Sequence, residues 1–355
     1  MSEPILIDGS EGEGGGQMLR SALTLSLLTG RPFHLFNVRA NRPKPGLAAQ
    51  HLASVEAAAR VGQATVRGNQ LGSREVLFMP GPVRAGDYEF RIGTAGATAL
   101  VLQTIYLPLM LRGDRPSQVS VLGGTHVKAA PCFDYLQHTW SKYLELLGGQ
   151  IQLKLEKRGF YPQGGGAMRA QIAPCPKLRA FQPSTPTAPR AAPHIDCYSY
   201  AQGDRSVSRD PSELAQEQVE GFTAVLEEES LPVRVRLEHT QSRQVGTYIG
   251  GLLPTTPVPT FHFALGERGV RARQVGQAAA QQLLEHWRAA PRAVDAHAAD
   301  QLLLPLVFAA GASRFQVAAV TQHLLTNAAV IARFLDRPIQ ITGTLHEPGC
   351  VEIAA

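Results

Sequence analysis

Residues 11–38 read EGEGGGQMLRSALTLSLLTGRPFHLFNV. A short apolar segment, Pro4 to Asp8, precedes them and has the look of a strand. Glycines 14–16 then interrupt the chain. Met18 to Leu28 has the length and residue types of a helix. Thr29-Gly-Arg-Pro32 supplies a glycine–proline exit, and Phe33 to Val38 alternates as a strand does. The same phrase recurs. Thr98 to Leu111 is a long apolar run that exits at Arg112–Pro116 into a strand, Gln118–Leu122. Asn327 to Leu335 exits at Asp336–Pro338 into Ile339–Thr342. A second phrase alternates with it: helix His51–Val61, Gly62, then ATVR; helix Asp134–Leu147, two glycines, then IQLKLEK. The pattern predicts an α/β fold with an internal repeat of a βαβα unit carrying extra strands, at least twice complete and once partial. GEGGGQMLR (12–20) and PQGGGAMRA (162–170) are expected to be a rougher echo of one turn.

Composition changes between Ala173 and Pro193, a proline-rich polar stretch that reads as a linker. A strand (HIDCYSYAQ), an acidic helix (212–229), a strand (LPVRVRLEH) and an alanine- and glutamine-rich helix (274–287) come after it. The expected organisation is a main domain in two parts, 1–185 and 285–355, interrupted by a smaller α/β insert, 186–284. With 355 residues, 44% hydrophobic and 18% charged, the chain can bury a sizeable core, which argues against disorder. The net charge of +5 is compatible with a polyanionic partner but decides nothing alone. No twenty-residue apolar run is present, and MSEPILIDGS lacks a basic region before an apolar one, so neither a membrane span nor a secretory leader is expected. The four cysteines are scattered without CxxC spacing. That speaks against a disulfide framework or zinc knuckle and fits a reducing cytoplasm.

The glycine stretch at 14–16 is neither a P-loop nor a dinucleotide fingerprint, because no Gly-Lys-Ser/Thr comes after it and the spacing differs. Bare backbone leading into a helix still suits an anion, although a plain turn fits the stretch by itself. A helix dipole contributes about 0.3–1 kcal/mol, against the roughly 8 kcal/mol of micromolar binding, so other segments must converge on it. Glu13 can carry a divalent cation and Arg20, one turn into the helix, a phosphate, or each is simply solvated. Arg39, Arg42 and Lys44 are stiffened by Pro43 and Pro45, as repeated phosphate contacts require, or form a solvated loop. RIGTAGATALVLQ (91–103) and GGTHVKAAP (123–131) are two more glycine turns before helices. His323 lies in TQHLLTN before an apolar helix. Asp300 and Gln301 are expected at a helix start, where capping is the simpler reading.

Taken together, IDGSEGEGGGQMLRSAL, VRANRPKPGLAAQHL, FRIGTAGATALVLQ, GGTHVKAAP, YPQGGGAM, ADQLLLPL and TQHLLTNAAV, in that order from Ile7 to about Phe334, resemble the RNA 3′-terminal phosphate cyclase family. The resemblance implies a main domain of three repeated units, each a four-stranded sheet with two helices (βαβαββ), and a smaller inserted α/β domain. It implies ATP-dependent conversion of an RNA 3′-phosphate to a 2′,3′-cyclic phosphodiester, with PPi and AMP released. His323 matches the nucleophile that forms an adenylyl-histidine; a histidine suits this because it is neutral near pH 7. Gln103, Pro131, His297, Asp300 and Gln301 match positions that hold the adenylate. Arg20, Arg39, Arg42 and Gln50 match positions around the phosphates, and Glu13 a carboxylate for Mg or Mn. The partner implied is RNA with a 3′-phosphate end. His297 stands where relatives often carry tyrosine. His126 and Lys128 receive no role. Two rivals are a non-catalytic relative, which lacks the nucleophilic histidine, and an enolpyruvyl transferase, which forms no covalent nucleotide.

Overall fold

A computed structural model describes residues 3–183, 193–204, 206, 209–289 and 293–355. The first part contains β1 (Ile5–Asp8), α1 (Gly16–Thr29), β2 (Phe33–Phe36), α2 (Ala49–Val61), β3 (Thr65–Arg67) and β4 (Val76–Met79). Next come β5 (Asp87–Arg91), α3 (Thr98–Arg112), β6 (Ser117–Gly123), α4 (Phe133–Tyr135), a π turn (Leu136–Trp140), α5 (Ser141–Leu146), β7 (Ile151–Lys157) and β8 (Gly166–Ile172). Two sheets result, ordered β1-β2-β4-β3 and β5-β6-β8-β7. In each, the first two strands are parallel and the other pairings antiparallel. Helical connections make this possible, because parallel neighbours need a crossover of helix length.

After β9 (Leu178–Arg179) the chain forms β10 (Ile195–Gly203), α6 (Pro211–Glu227), β11 (Val233–Gln241), β12 (Gly246–Leu253), β13 (Thr260–Leu265) and α7 (Ala272–Ala289). Their sheet is ordered β11-β10-β12-β13. The chain ends with α8 (Ala296–Val307), β14 (Ala309–Ala310), β15 (Ser313–Val317), α9 (Gln322–Phe334), β16 (Ile339–Thr342) and β17 (Gly349–Ile353). The last three strands form the sheet β15-β17-β16, and Val294 makes one parallel bridge to Val317. The fold is therefore mixed α/β with several small sheets. Much of the linker stretch, and the expected boundary at 185/186, lies outside the described residues. Helix α7 runs through residue 284 to Ala289.

One core runs from Ile7 to Ile353. A second cluster, including Ile195, Phe222, Ile249 and Leu283, fills the space between the β10–β13 sheet and helices α6 and α7. Side chains alternate across a strand, so Ile249 faces those helices while Tyr248 joins the main core. Helices α6 and α7 touch through glycines. A Cβ on Gly221 would lie 2.0 Å from the Arg273 carbonyl oxygen, and one on Gly276 2.0 Å from that of Gln218. Backbone cannot swing aside as a side chain can. Gly276→Ala is expected to destabilise the protein by about 1–3 kcal/mol, read as a lower urea midpoint; an unmoved midpoint would contradict the close crossing.

Four expectations are corrected. Helix α8 starts at Ala296, not at Asp300, because Asp295 caps it, accepting from the backbone N–H groups of His297 and Ala298 at 3.0 Å. Helix α9 starts at Gln322, not at Asn327, with the Thr321 hydroxyl accepting from Leu324 N–H at 3.1 Å. The expected helix 134–147 contains the π turn. GEGGGQMLR and PQGGGAMRA are not structural equivalents: the first enters a helix and the second the strand β8. The alternation of GAMRAQI, buried at every other residue, overrides the shared glycines.

Candidate active site

Helix α1 is buried almost all round, yet carries Gln17, Ser21 and Thr24 on one face. A buried polar group needs a partner, and each finds one on another element. Thr24 Oγ1 donates to the Thr104 carbonyl on α3 at 2.8 Å. Ser21 Oγ donates to Asn327 Oδ1 on α9 at 2.6 Å. Gln17 Nε2 donates to Asp300 Oδ2 on α8 at 2.7 Å. Three helices from distant parts of the chain are thereby fixed around the start of α1.

The turn before α1 is shaped by Gly12 and Gly14, which have φ of 57° and 61°, a left-handed conformation open to glycine. It docks on α9, where Glu13 N–H donates to Thr326 Oγ1 at 3.3 Å. Glu13 thus reaches His323, one turn earlier on α9. His323 Nδ1 lies 2.6 Å from Glu13 Oε2 and is hydrogen-bonded to Gln17 Oε1. Glu13 Oε1 accepts from Arg42 at 2.6 Å. The Nε2 atom of His323 has no hydrogen-bond partner among the described residues. The Glu13 contact raises the His323 pKa against the opposing effect of burial. Reciprocally, the His323 ring holds the Glu13 carboxyl below its ordinary range.

The signs give a window. The raised imidazole favours the ion pair below the histidine's ordinary 6.5 and loses that contribution as pH rises through the folded value. The depressed carboxyl contributes above its ordinary 4.5 and loses that as pH falls through its own folded value. In metal-free protein the His323 ring is expected to titrate above 6.5, and Glu13→Gln to bring it down. Ring NMR signals monitored over pH would show this; an unchanged midpoint in the variant would contradict it.

A cavity of about 310 Å³ opens beside His323. Arg20, Gln103, Pro131, His297, Asp300 and Gln301 all line it. Gln103 Nε2 donates to Gln301 Oε1 at 2.6 Å. The aromatic wall is Tyr106, Tyr135, Trp140 and Phe263, the last from the β10–β13 sheet. Burial raises the Asp300 carboxyl to about 6, and its Oδ1 is buried with no partner among the described residues. Arg20 makes no side-chain hydrogen bond or ion pair there either; burial lowers it to about 10, so it stays charged at neutral pH.

The remaining expected residues sit around this cavity without lining it. Arg42 is held on Glu13. Arg39 donates to the Lys44 and Gly46 carbonyls at 2.9 Å and so shapes its own loop. Gln50 Oε1 accepts from Ala97 N–H at 2.8 Å at the start of α3. Sequence reasoning missed two residues. Gln17 joins His323 to Asp300. His51 covers Gly16, where a Cβ would lie 2.1 Å from its Nε2. Burial, then Arg20, Arg39 and Arg42, push His51 down to about 3, so it is neutral at pH 7. The signal for both was position: Gln17 lies in the glycine stretch and His51 is next to Gln50.

Glu13 is a carboxylate of the type that can hold a divalent cation together with phosphates and water, and here its two oxygens face Arg42 and His323 at 2.6 Å. The buried group His126, Cys132 and Asp134 also offers ligand atoms within 4.8 Å of one another. Its atoms are already engaged: His126 bonds Asp134 and Thr125 at 2.9 Å, and Cys132 Sγ accepts from Tyr135 N–H. Among the described residues no helix is long and apolar enough to cross a membrane.

Residues 11–341 match the family model described as RNA 3′-terminal phosphate cyclase. Proteins named RNA 3′-terminal phosphate cyclase are similar over nearly the whole chain. That of Ralstonia nicotianae is 41% identical over 339 residues, 95% of this chain and 93% of its own. Those of Ectopseudomonas mendocina and Methanopyrus kandleri are 39% and 38% identical, covering 95% and 98% of this chain and 94% and 98% of theirs. The chain belongs to the RNA 3′-terminal phosphate cyclase family of enzymes.

Proposed function

We propose that the protein converts RNA 3′-phosphate ends to 2′,3′-cyclic phosphodiesters at the expense of ATP, through an adenylyl group carried on His323. The observation that carries this is the pinned Nδ1 of His323, with Nε2 left open beside a cavity holding the unpaired Arg20 guanidinium. Once the ring has lost a proton, above its raised pKa, the remaining proton sits on Nδ1, held toward Glu13 and Gln17, and Nε2 has the lone pair that attacks. It attacks the α-phosphorus of ATP, the α–β bridging P–O bond breaks, and PPi leaves. The RNA 3′-phosphate oxygen then attacks the same phosphorus, breaks the P–N bond and gives RNA-(3′)pp(5′)A. The 2′-OH attacks the 3′-phosphorus, loses its proton, and AMP departs.

Gln103 and Gln301 present amides, and Tyr106, Trp140 and Phe263 an aromatic wall, which suits adenine. Arg20, with Arg39 and Arg42 near His51, neutralises phosphate charge. Glu13 would hold Mg or Mn, which supplies further neutralisation on the phosphates. Chelation with EDTA is expected to abolish labelling by ATP, and added Mg or Mn to restore it; full labelling in EDTA would remove the metal from this reading.

Two architectural readings go with this. The main domain is three repeats of one βαβαββ unit, supported by the common strand order of the first two sheets and by the Val294–Val317 bridge, which extends β15-β17-β16 to the same order. The β10–β13 sheet and its helices form an inserted domain with its own apolar cluster. The free cysteines fit a cytoplasmic site of action.

The test is incubation with ATP, a divalent cation and RNA ending in a ³²P-labelled 3′-phosphate. Phosphatase-resistant label, with one AMP and one PPi per end, is expected. RNA that stays phosphatase-sensitive while the protein is folded would refute the proposal.

A further inference from the structure

The motif YPQGGGAM has no part in the nucleotide cavity. Tyr161 within it, at 77%, is the most exposed large hydrophobic side chain among the described residues. It makes no hydrogen bond, ion pair or ring contact with any described residue. Its neighbour Phe160 does the opposite. Phe160 is buried and stacks on His126 at 5.4 Å and on Tyr200 at 6.1 Å, with the rings of Phe160 and Tyr200 nearly parallel. The loop beneath Tyr161 is closed by Gly164 N–H donating to the Phe160 carbonyl at 2.7 Å. Gly159 N–H donates to Thr125 Oγ1, and its carbonyl accepts from Thr125 and His126. A stiff support therefore holds a bare aromatic ring in water.

Two contacts locate this ring relative to the active site. Gly164 packs against Ala95, where a Cβ would come within 2.9 Å of the Ala95 Cα. Ala95 belongs to the turn whose Ala97 N–H is held by Gln50, and the next residue, His51, covers Gly16 at the start of α1. Gly165 packs against Gln244, in the turn between β11 and β12. That turn exposes Arg243, which has no ion-pair partner among the described residues.

We propose that Tyr161 is a stacking platform for a base near the RNA 3′ end, with Arg243 taking a phosphate of the same strand. The inference rests on the RNA cyclase reading above. A rigid exposed ring binds any base face, and an adjacent free cation tracks the backbone, which is how single strands are held without sequence preference. Charge favours RNA over a basic protein partner: Arg243, next in the chain to the Gln244 that packs on Gly165, is exposed and has no ion-pair partner among the described residues.

The experiment is steady-state cyclisation of a 3′-phosphate oligonucleotide by wild type, Tyr161→Ala, Tyr161→Trp and Arg243→Ala, with RNA-free ATP labelling measured in parallel. Tyr161→Ala is expected to raise the KM for RNA about 5- to 150-fold with a much smaller change in kcat, and Tyr161→Trp to restore it. An oligonucleotide with abasic residues at its last three positions is expected to erase the difference between wild type and Tyr161→Ala. Arg243→Ala is expected to reduce the salt slope of binding by about one. An unchanged KM in Tyr161→Ala would overturn the proposal. So would a fall in ATP labelling as large as the rise in KM, which marks a structural role. Failure of the underlying reading looks different, because wild type itself would then neither label nor cyclise.

Discussion

His323→Ala is expected to remove labelling of the protein by α-³²P-ATP and to lower cyclisation on the order of 10⁴-fold or more. The size comes from the proposed chemistry. Without the imidazole no atom at that position can take the adenylyl group, and what remains is the nucleotide contact proposed for Arg20, Gln103 and Gln301, which line the cavity. Binding and labelling should therefore separate. The His323 side chain is about half exposed, at 51%, so its truncation opens no core cavity and the variant is expected to fold. The wild-type label should be lost in acid, as a phosphoramidate is, and withstand conditions that cleave an acyl phosphate. A variant that still labels would place the nucleophile elsewhere. A wild type that binds ATP and never labels would remove the covalent step and favour a non-catalytic relative.

Gln17→Leu is expected to slow adenylylation about 10- to 100-fold, by analogy with the cost of removing a hydrogen bond that orients a metal-ligating histidine. Gln17 carries two contacts at once. Its Oε1 holds His323 Nδ1 and its Nε2 satisfies Asp300 Oδ2. Leucine keeps roughly the volume and loses both. The ring is then held by Glu13 alone, and Asp300, whose Oδ1 already lacks a partner, has neither oxygen paired with a side chain. A buried acceptor without a donor costs about 1–3 kcal/mol, so the urea midpoint should fall as well. The Gln17 bond also opposes the burial that raises Asp300 to about 6, so the carboxyl should titrate higher still in the variant. Labelling within about threefold of wild type would show that Gln17 does not position His323, because the expected loss is about tenfold or more.

The individual elements were legible because their causes are local. The apolar run of α3, the alternation of β7 and the glycine–proline exit after α1 each act within a few residues. Caps were harder to place. Asp295 and Thr321 start α8 and α9 several residues before their apolar runs begin, so Asp300 lies in the second turn and His323 in the first. The glycine echo misled because glycine permits a turn without selecting a helix or a strand after it.

The sequence by itself determined the α/β class, the recurrent strand–helix phrase, the seven ordered motifs and, by resemblance, the residues expected at the site. Only the tertiary structure decided which of them meet. Gln17 and His323 are 306 residues apart, and Phe263 reaches the cavity from a sheet with its own apolar cluster. It also separated Arg20, unpaired at the cavity, from Arg39, which spends two bonds on its own loop. The reason is physical: propensity and periodicity are properties of neighbours along the chain, whereas partner choice and burial arise only when distant segments pack.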